Sequence, residues 1–339
     1  MAKTIKHIAV IRLSAMGDVA MTVPVIRALV AQHPDVKITV ISRPFFKPFF
    51  DTIPEVSFFP VDLEQQHKGF LGLFRLFQEL KELGVDALAD LHNVLRSKIL
   101  AFFFRLYNLK VATVNKGRSE KKELTRAKNK VFRQLTSMVI QHSKVFRKLG
   151  FPVELQDPVF PKLVAFTGQK KEKWIGIAPF AQYDSKVYPL DLMQKVIDTL
   201  SENLNYKIFL FGGGKKEVEL LDKMAHNKPN VVNMAGKVKL PEELKIISNL
   251  DVMLSMDSGN AHIAAMIGTK VVTLWGATHP YAGFAPFNQP IENCLTADRE
   301  KYPLLPTSVY GNKIVEGYQD AMRTIIPEMV VEKINSNLA

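Results

Sequence analysis

The stretch from Leu250 to Pro280 constrains this chain most. Val252 to Met256 is a short apolar run that reads as a buried strand, and it stops at Asp257-Ser258-Gly259, where turn-forming and helix-capping residues coincide. Ala261 to Ile267 continues as a small-residue helix, Gly268 ends it, and Lys270 to Trp275 reads as the next strand. In an open parallel sheet, the N-terminus of such a helix points free N–H groups and a positive dipole end at the place where anions bind. Asp257 or Ser258 acting as a simple helix cap accounts for an isolated Asp-Ser-Gly equally well. Two neighbours favour a ligand: His262 lies one turn into the helix, and Gly276 follows the next strand.

The same alternation runs through the whole chain. His7 to Leu13 is an apolar strand, followed by Ser14-Ala15-Met16-Gly17-Asp18; Gly17 permits a tight turn, and Asp18 opens a helix over about 19–31. Further strands are predicted at 37–42, 56–61, 87–91 and 111–114, and the clearest helix at 70–83, where apolar residues recur at three- and four-residue spacing. The proline-punctuated stretch from Phe151 to Pro161 reads as a linker, with the boundary near 160–172. Then the pattern restarts, with strands at 174–179, 207–211, 231–234, 251–256 and 270–275. Helices are predicted at 189–202, 215–225, 241–248 and 261–267, and a last helix over 316–337 that Pro327 is expected to kink. Strands alternating with helices argue for parallel, doubly wound sheets. The expected architecture is α/β of GT-B type: two Rossmann-like α/β/α domains, 1–165 and 166–315, facing across a cleft, with the segment 316–339 packing back on the first. Two α/β domains also occur in binding proteins and dehydrogenases.

Composition narrows the setting. With 339 residues the chain can bury a large core, and no apolar run reaches the roughly 18–20 residues that a membrane span needs. Met1 to Lys6 leads into a strand pattern rather than a signal-peptide core, so a cytoplasmic location is expected. Cys294 is the sole cysteine, which excludes an internal disulfide and reads best as a structural thiol. The net charge of +12 is concentrated: from Arg105 to Lys148 there are 13 Lys or Arg against two acids, Glu120 and Glu123. Such a surface fits nucleic acid, acidic lipid headgroups or a phosphorylated saccharide. Tyr107, Phe132 and Phe146 within it fall at helix-core spacing rather than as a base-stacking series, so nucleic acid is not expected.

Two further loops carry chemistry. Phe211-Gly212-Gly213-Gly214 ends a strand and opens a helix, but no glycine falls where G-x-G-x-x-G requires its third, and a Walker A motif is absent. Glu217, in the first turn of that helix, is placed either to meet a ribose hydroxyl or to act as an ordinary first-turn acid. Lys186, in the loop from Pro179 to Pro189, lies where a cation neutralises a diphosphate.

Together these motifs resemble the ADP-heptose:lipopolysaccharide heptosyltransferases, glycosyltransferase family 9, over nearly the whole chain. Ser14-x-Met16-Gly17-Asp18 looks like the family's S-x-G-D turn, and Asp90-Leu-His-Asn-Val-Leu-Arg-Ser97 like its D-x-Q-G-x-x-x-S segment. Lys186-x-Tyr188-Pro189 resembles K-x-W-P, Asp257-Ser-Gly-x-x-His262 matches D-[TS]-G-x-x-H, and Trp275-Gly-x-Thr278 the following G-x-T. His92-Asn93 in place of Q-G and Tyr188 in place of Trp are departures.

The resemblance implies an inverting transfer of a heptose or related sugar from an ADP-sugar to an acidic glycolipid acceptor of the lipopolysaccharide-core type, and since the sequence has no D-x-D pair, metal-independent turnover is expected. No cofactor is implied, and peripheral contact with the inner membrane surface is. Asp18 would be the general base, its alternative role being a helix cap. Lys186, Ser258, Gly259 and His262 would hold the pyrophosphate, with Asp257 nearby in a role the sequence leaves open. Glu217 completes the donor set, and 237–242, with Lys239 and Leu240, would lie against the adenine. Met16, Gly17, His92, Asn93, Arg96 and Arg118 would face the acceptor. The alternatives are a transferase for another nucleotide sugar, or a non-catalytic nucleotide- or anionic-polymer-binding protein of the same fold.

Overall fold

The structure, a computed structural model, describes residues 5–161, 163, 170–313 and 315–338. The expected boundary at 165/166 lies outside them. Two compact units emerge: Met1–Lys116 with Met138–Val159, and Gly117–Ser137 with Phe160–Ala339.

The first unit runs β1 (His7–Ile11), α1 (Met16–Ala20), α2 (Val23–Gln32), β2 (Lys37–Ser42), β3 (Val56–Pro60), α3 (Gly69–Glu82), β4 (Ala87–Asp90), α4 (Leu95–Leu106) and β5 (Lys110–Thr113). The chain then leaves it for α5 (Arg118–Thr125) and returns with α6 (Met138–Leu149). All strands pair in parallel in the order β3-β2-β1-β4-β5. Ala9, Ile11 and Leu88 meet Leu76, Phe77, Leu80, Leu100, Phe103 and Phe104 of α3 and α4, and each large side chain so buried contributes about 1.5–3 kcal/mol. The single helix expected over 19–31 is two. Pro24 has no N–H for the carbonyl of residue 20, so it sits instead in the first turn of α2, where a donor is spare.

The second unit continues through β6 (Lys173–Ala178), α7 (Leu190–Ser201), β7 (Tyr206–Leu210), α8 (Lys215–Ala225), β8 (Val231–Asn233) and α9 (Leu240–Ser248). It ends with β9 (Val252–Met256), α10 (Gly259–Met266), β10 (Val271–Trp275), β11 (Cys294–Thr296) and α11 (Pro327–Leu338). Its parallel order, β8-β7-β6-β9-β10-β11, is the doubly wound one, reversing direction beside β6. The small residues of α10 allow close packing on β9 and β10, and Ala261 to Met266 are all buried.

Three expectations need correction. Pro327 does not kink a long helix but begins a short one, since a residue without an N–H is best placed in a first turn; 316–326 holds turns and a 3-10 turn at Ala321–Thr324. That helix, expected with the first unit, is part of the second, where Val330, Ile334 and Leu338 enter the core. The basic segment 117–137 also belongs to the second unit. Leu124, Leu135 and Phe132 pack with Tyr281, Ala282 and Phe284, and the Leu135 N–H donates to the Tyr281 carbonyl at 2.9 Å.

Candidate active site

In the second sheet, Ala178 of β6 stands beside Ser255 of β9, and Leu274 of β10 beside Met256. The loops leaving these carboxyl ends carry Lys186, Asp257 and Thr278. Lys186 Nζ donates to Asp257 Oδ2 at 2.9 Å, and Thr278 Oγ1 donates to the same oxygen at 2.8 Å. Both charged side chains are nearly buried, so the ion pair is little screened by water. Asp257 therefore anchors Lys186 while engaging only one of the three ammonium donors. Ser258 is the N-cap residue of α10, yet its hydroxyl pairs with Ser255 Oγ at 3.1 Å and does not cap the helix. The positive helix end at Gly259 is left to attract an anion. His262 lies buried in the same helix.

The Lys186 turn is held from several sides. Ser185 Oγ donates to the Gly311 carbonyl at 2.6 Å, and the Ala277 N–H donates to the Ser185 carbonyl at 3.1 Å. Tyr188, fully buried, donates its hydroxyl to the Ile325 carbonyl at 2.6 Å, and burial pushes its phenol upward in pKa. Tyr188 thus braces the loop from inside the core. Gly311 has φ 86, and a Cβ there would lie 2.5 Å from Lys186 Cδ, so only glycine leaves room for the lysine stem. A cavity of about 270 Å³ adjoins this turn, lined among others by Ser185, Ala277, Thr307 and Lys313.

Of the remaining donor candidates, Glu217 turns back on its own loop, Oε2 accepting the Gly213 N–H at 2.7 Å. Lys239 is the exposed N-cap residue of α9 and Leu240 its half-buried first residue.

In the first unit the site is built around Arg12, which the motif reading passed over. It is buried, donates through Nε to the Ser14 carbonyl at 2.8 Å and through Nη1 to the Leu91 carbonyl at 2.6 Å, and pairs through Nη2 with Asp18 at 2.5 Å. One guanidinium thus ties the loop after β1 to the loop after β4. Asp18 also accepts the Ala15 N–H at 3.3 Å, so it is both a cap and an ion-paired, half-buried carboxylate. A signal was available: an arginine interrupting the apolar run from His7 to Leu13 needs a buried partner.

The loop after β4 is organised by Asp90, fully buried. It accepts the N–H groups of His92 at 2.9 Å and Asn93 at 2.8 Å, and the Ser97 hydroxyl at 3.1 Å. Asn93 has φ 50, a left-handed conformation that asparagine tolerates better than most residues. His92 is buried with Nε2 3.5 Å from Ser14 Oγ and no partner on Nδ1. Burial first, then the positive charges of Arg12 and Lys116, push its pKa down to about 3. His92 is therefore a neutral hydrogen-bonding group. Met16, Gly17 and Asp18 share the half-buried turn at the start of α1. Arg96 is exposed on α4, whereas Arg118, exposed at the start of α5, belongs to the other unit.

Much of the basic segment is used internally. Lys130 donates to the carbonyls of Leu124 and Pro306 at 3.0 and 2.7 Å, and burial pushes its pKa down to about 8. Lys121 lies over the Phe284 ring and Arg299 over Phe132, which also packs edge-on against His279. Arg118, Lys122, Arg126 and Lys128 stay exposed. Cys294 accepts from Thr273 Oγ1 at 3.3 Å, and burial raises its thiol, as befits a structural cysteine.

The glycosyltransferase family 9 (heptosyltransferase) model matches residues 73–312. The chain belongs to that family. It is 28% identical to the lipooligosaccharide heptosyltransferase 2 of Haemophilus influenzae, covering 98% of this chain and 99% of that one. It is 25% identical to the lipopolysaccharide core heptosyltransferase OpsX of the same organism, over 87% of this chain and 85% of that one. The E. coli heptosyltransferase WaaC, solved with ADP, matches with a TM-score of 0.72 at 17% identity over 98% and 99% of the two chains. That likeness establishes the GT-B fold, with its two parallel-sheet α/β domains. As a family 9 glycosyltransferase, the chain carries Asn93 where the motif has glycine, and the φ of 50 explains why asparagine serves there.

Proposed function

We propose that this glycosyltransferase moves a heptose from ADP-heptose to an acidic acceptor of the lipopolysaccharide core, with inversion and without a metal ion. The donor is inferred from the relative solved with ADP, and the acceptor class from the curated relatives. The observation that carries the reading is the buried Lys186–Asp257–Thr278 cluster at the sheet's carboxyl edge, beside the uncapped N-terminus of α10. A fixed ammonium and a helix end supply the positive charge that a departing diphosphate requires.

In the proposed step an acceptor hydroxyl attacks the anomeric carbon, and the bond from that carbon to the diphosphate oxygen breaks. ADP leaves with the bonding electrons, and the hydroxyl proton passes to Asp18. Attack opposite the leaving group inverts the configuration. Arg12 holds the Asp18 carboxylate in place, and the neutral His92 offers the acceptor hydrogen bonds rather than charge. A lipid-anchored acceptor further implies work at the inner membrane surface.

Asp18→Asn tests the base. Transfer is expected to fall by about 10²–10⁴ while ADP binding is retained. Undiminished transfer by that variant would remove Asp18 from the role. Turnover by the parent protein is expected to be insensitive to EDTA, and a loss restored by a divalent cation would overturn metal independence.

A further inference from the structure

Helix α4 is apolar on two sides. Leu100, Phe103 and Phe104 are buried in the core with α3, as the fold requires. Yet Leu95, Phe102 and Leu106 are exposed, Leu106 by 65%, and their spacing of seven and four residues places them along one stripe. Phe70 and Leu71, at the start of α3, are exposed too, Leu71 by 79%, and the Phe70 ring packs edge-on against Phe103 at 5.0 Å. A contiguous exposed face of this kind marks a binding surface rather than the scattered apolar residues of an ordinary exterior.

Charge identifies what it meets. Helix α4, Leu-Arg-Ser-Lys-Ile-Leu-Ala-Phe-Phe-Phe-Arg-Leu, carries Arg96, Lys98 and Arg105, all exposed, and no acid. Lys68 is exposed just before α3 and Arg75 at its middle, while the acids Glu79 and Glu82 fall in its last turns and Asp62 and Glu64 in the loop before it. Glu79 is already engaged by His67 at 3.0 Å. An apolar stripe flanked by cations, on a helix that carries no acid of its own, is the composition of a helix lying in a lipid interface. An anionic bilayer answers both parts, with acyl chains for Phe102 and Leu106 and phosphates for Lys98 and Arg105.

We propose that the exposed face of α3 and α4 docks on an anionic lipid bilayer. The proposal rests on the reading that the acceptor is lipid-anchored, and it names the surface involved. Helix α4 begins directly after the Asp90-to-Val94 loop, so the face that meets lipid is continuous in the chain with the acceptor-side loop.

The test is co-sedimentation of the full chain with phosphatidylcholine vesicles, with and without phosphatidylglycerol. The parent protein should bind the anionic vesicles more than about tenfold tighter than the neutral ones. The double variants Phe102→Ser/Leu106→Ser and Lys98→Glu/Arg105→Glu should each lose about tenfold or more, with unchanged circular dichroism because all four side chains are exposed. Lys122→Glu/Lys128→Glu, the same charge change on exposed cations of the second unit, should stay within about threefold. Parent-like binding by the α4 variants, or an equal loss in the second-unit variant, overturns the assignment. So does a dimer in gel filtration that the Phe102 and Leu106 changes dissolve, which would give the face to a second copy of the chain. Transfer to a water-soluble acceptor fragment should be unaffected by the α4 variants. A parent protein that binds anionic vesicles through α4 but transfers no heptose upholds the docking surface and refutes the functional reading.

Discussion

Replacing Arg12 by methionine removes the group that joins the loops after β1 and β4. Two hydrogen bonds from a buried cation, to the Ser14 and Leu91 carbonyls, are lost, each contributing about 1.5–3 kcal/mol. The ion pair adds about 1 kcal/mol at most, because the Asp18 side chain is 30% exposed and its charge is screened. The methionine stem recovers some packing, which leaves a net loss of about 3–4 kcal/mol against a typical total of about 5–15. With a urea dependence near 2 kcal/mol per molar, the first unit's midpoint should fall by about 1.5–2 M. The assay can separate the units, because both tryptophans, Trp174 and Trp275, lie in the second. Circular dichroism should show an early transition while tryptophan fluorescence keeps its parental midpoint. Arg12→Lys retains the charge but not the fork and should recover about half of the loss. Transfer should drop about 10–10²-fold in both variants as Asp18 loses its tether, with ADP affinity unchanged. A first-unit transition within about 1 kcal/mol of the parent, or a tryptophan transition that moves in step with it, would falsify this account.

Three other outcomes follow from the geometry. Lys186→Met should weaken ADP binding and slow transfer by about 10²-fold or more, read by calorimetry and product formation; a change confined to stability would make the lysine structural. His92 titrates near 3 in the fold against 6.5 unfolded, so the unfolded state binds the extra proton and stability is lost as pH falls from 6.5 toward 3. By pH 5 the first unit should lose about 2 kcal/mol on this account, and His92→Gln should flatten that dependence in urea titrations. Gly311→Ala should impair ADP binding because its Cβ would meet the Lys186 stem, and an affinity equal to the parent's would show that the stem has another path.

Much of the fold is legible in the sequence because both sheets are parallel and covered. Fully buried strands such as β1 and β9 read as continuous apolar runs, and the turns after them are punctuated by Gly17 and by Asp257-Ser258-Gly259. What escapes is whatever depends on contacts distant in sequence. Nothing local to residues 117–137 shows that Leu135 will bond to Tyr281, so the segment reads as part of the half that precedes it. Helix α11 is amphipathic, but which core receives Val330 and Ile334 is decided by β9 and α7. Strand β11 has three residues, too few for any periodicity. Arg12 is a mixed case: a buried arginine in an apolar strand is a clear local signal, and Asp18 is near in sequence, but the Leu91 carbonyl it holds is 79 residues away.

Asp257 shows how such long-range contacts change the meaning of a motif. Taken as a line of residues, Asp-Ser-Gly-x-x-His sets a carboxylate where a diphosphate should rest, and like charges there repel. In the fold, Asp257 Oδ2 is occupied by Lys186 and Thr278, so its charge is spent locally. In the proposed donor complex the diphosphate would meet the other ammonium donors and the helix end, worth roughly half a positive charge. A lysine on a free four-carbon stem would have to be ordered as the diphosphate arrives; one already fixed by a buried acid is in place before charge develops on the leaving oxygen. Preorganisation of the cation resolves the apparent repulsion, because the acid acts on the lysine rather than on the ligand.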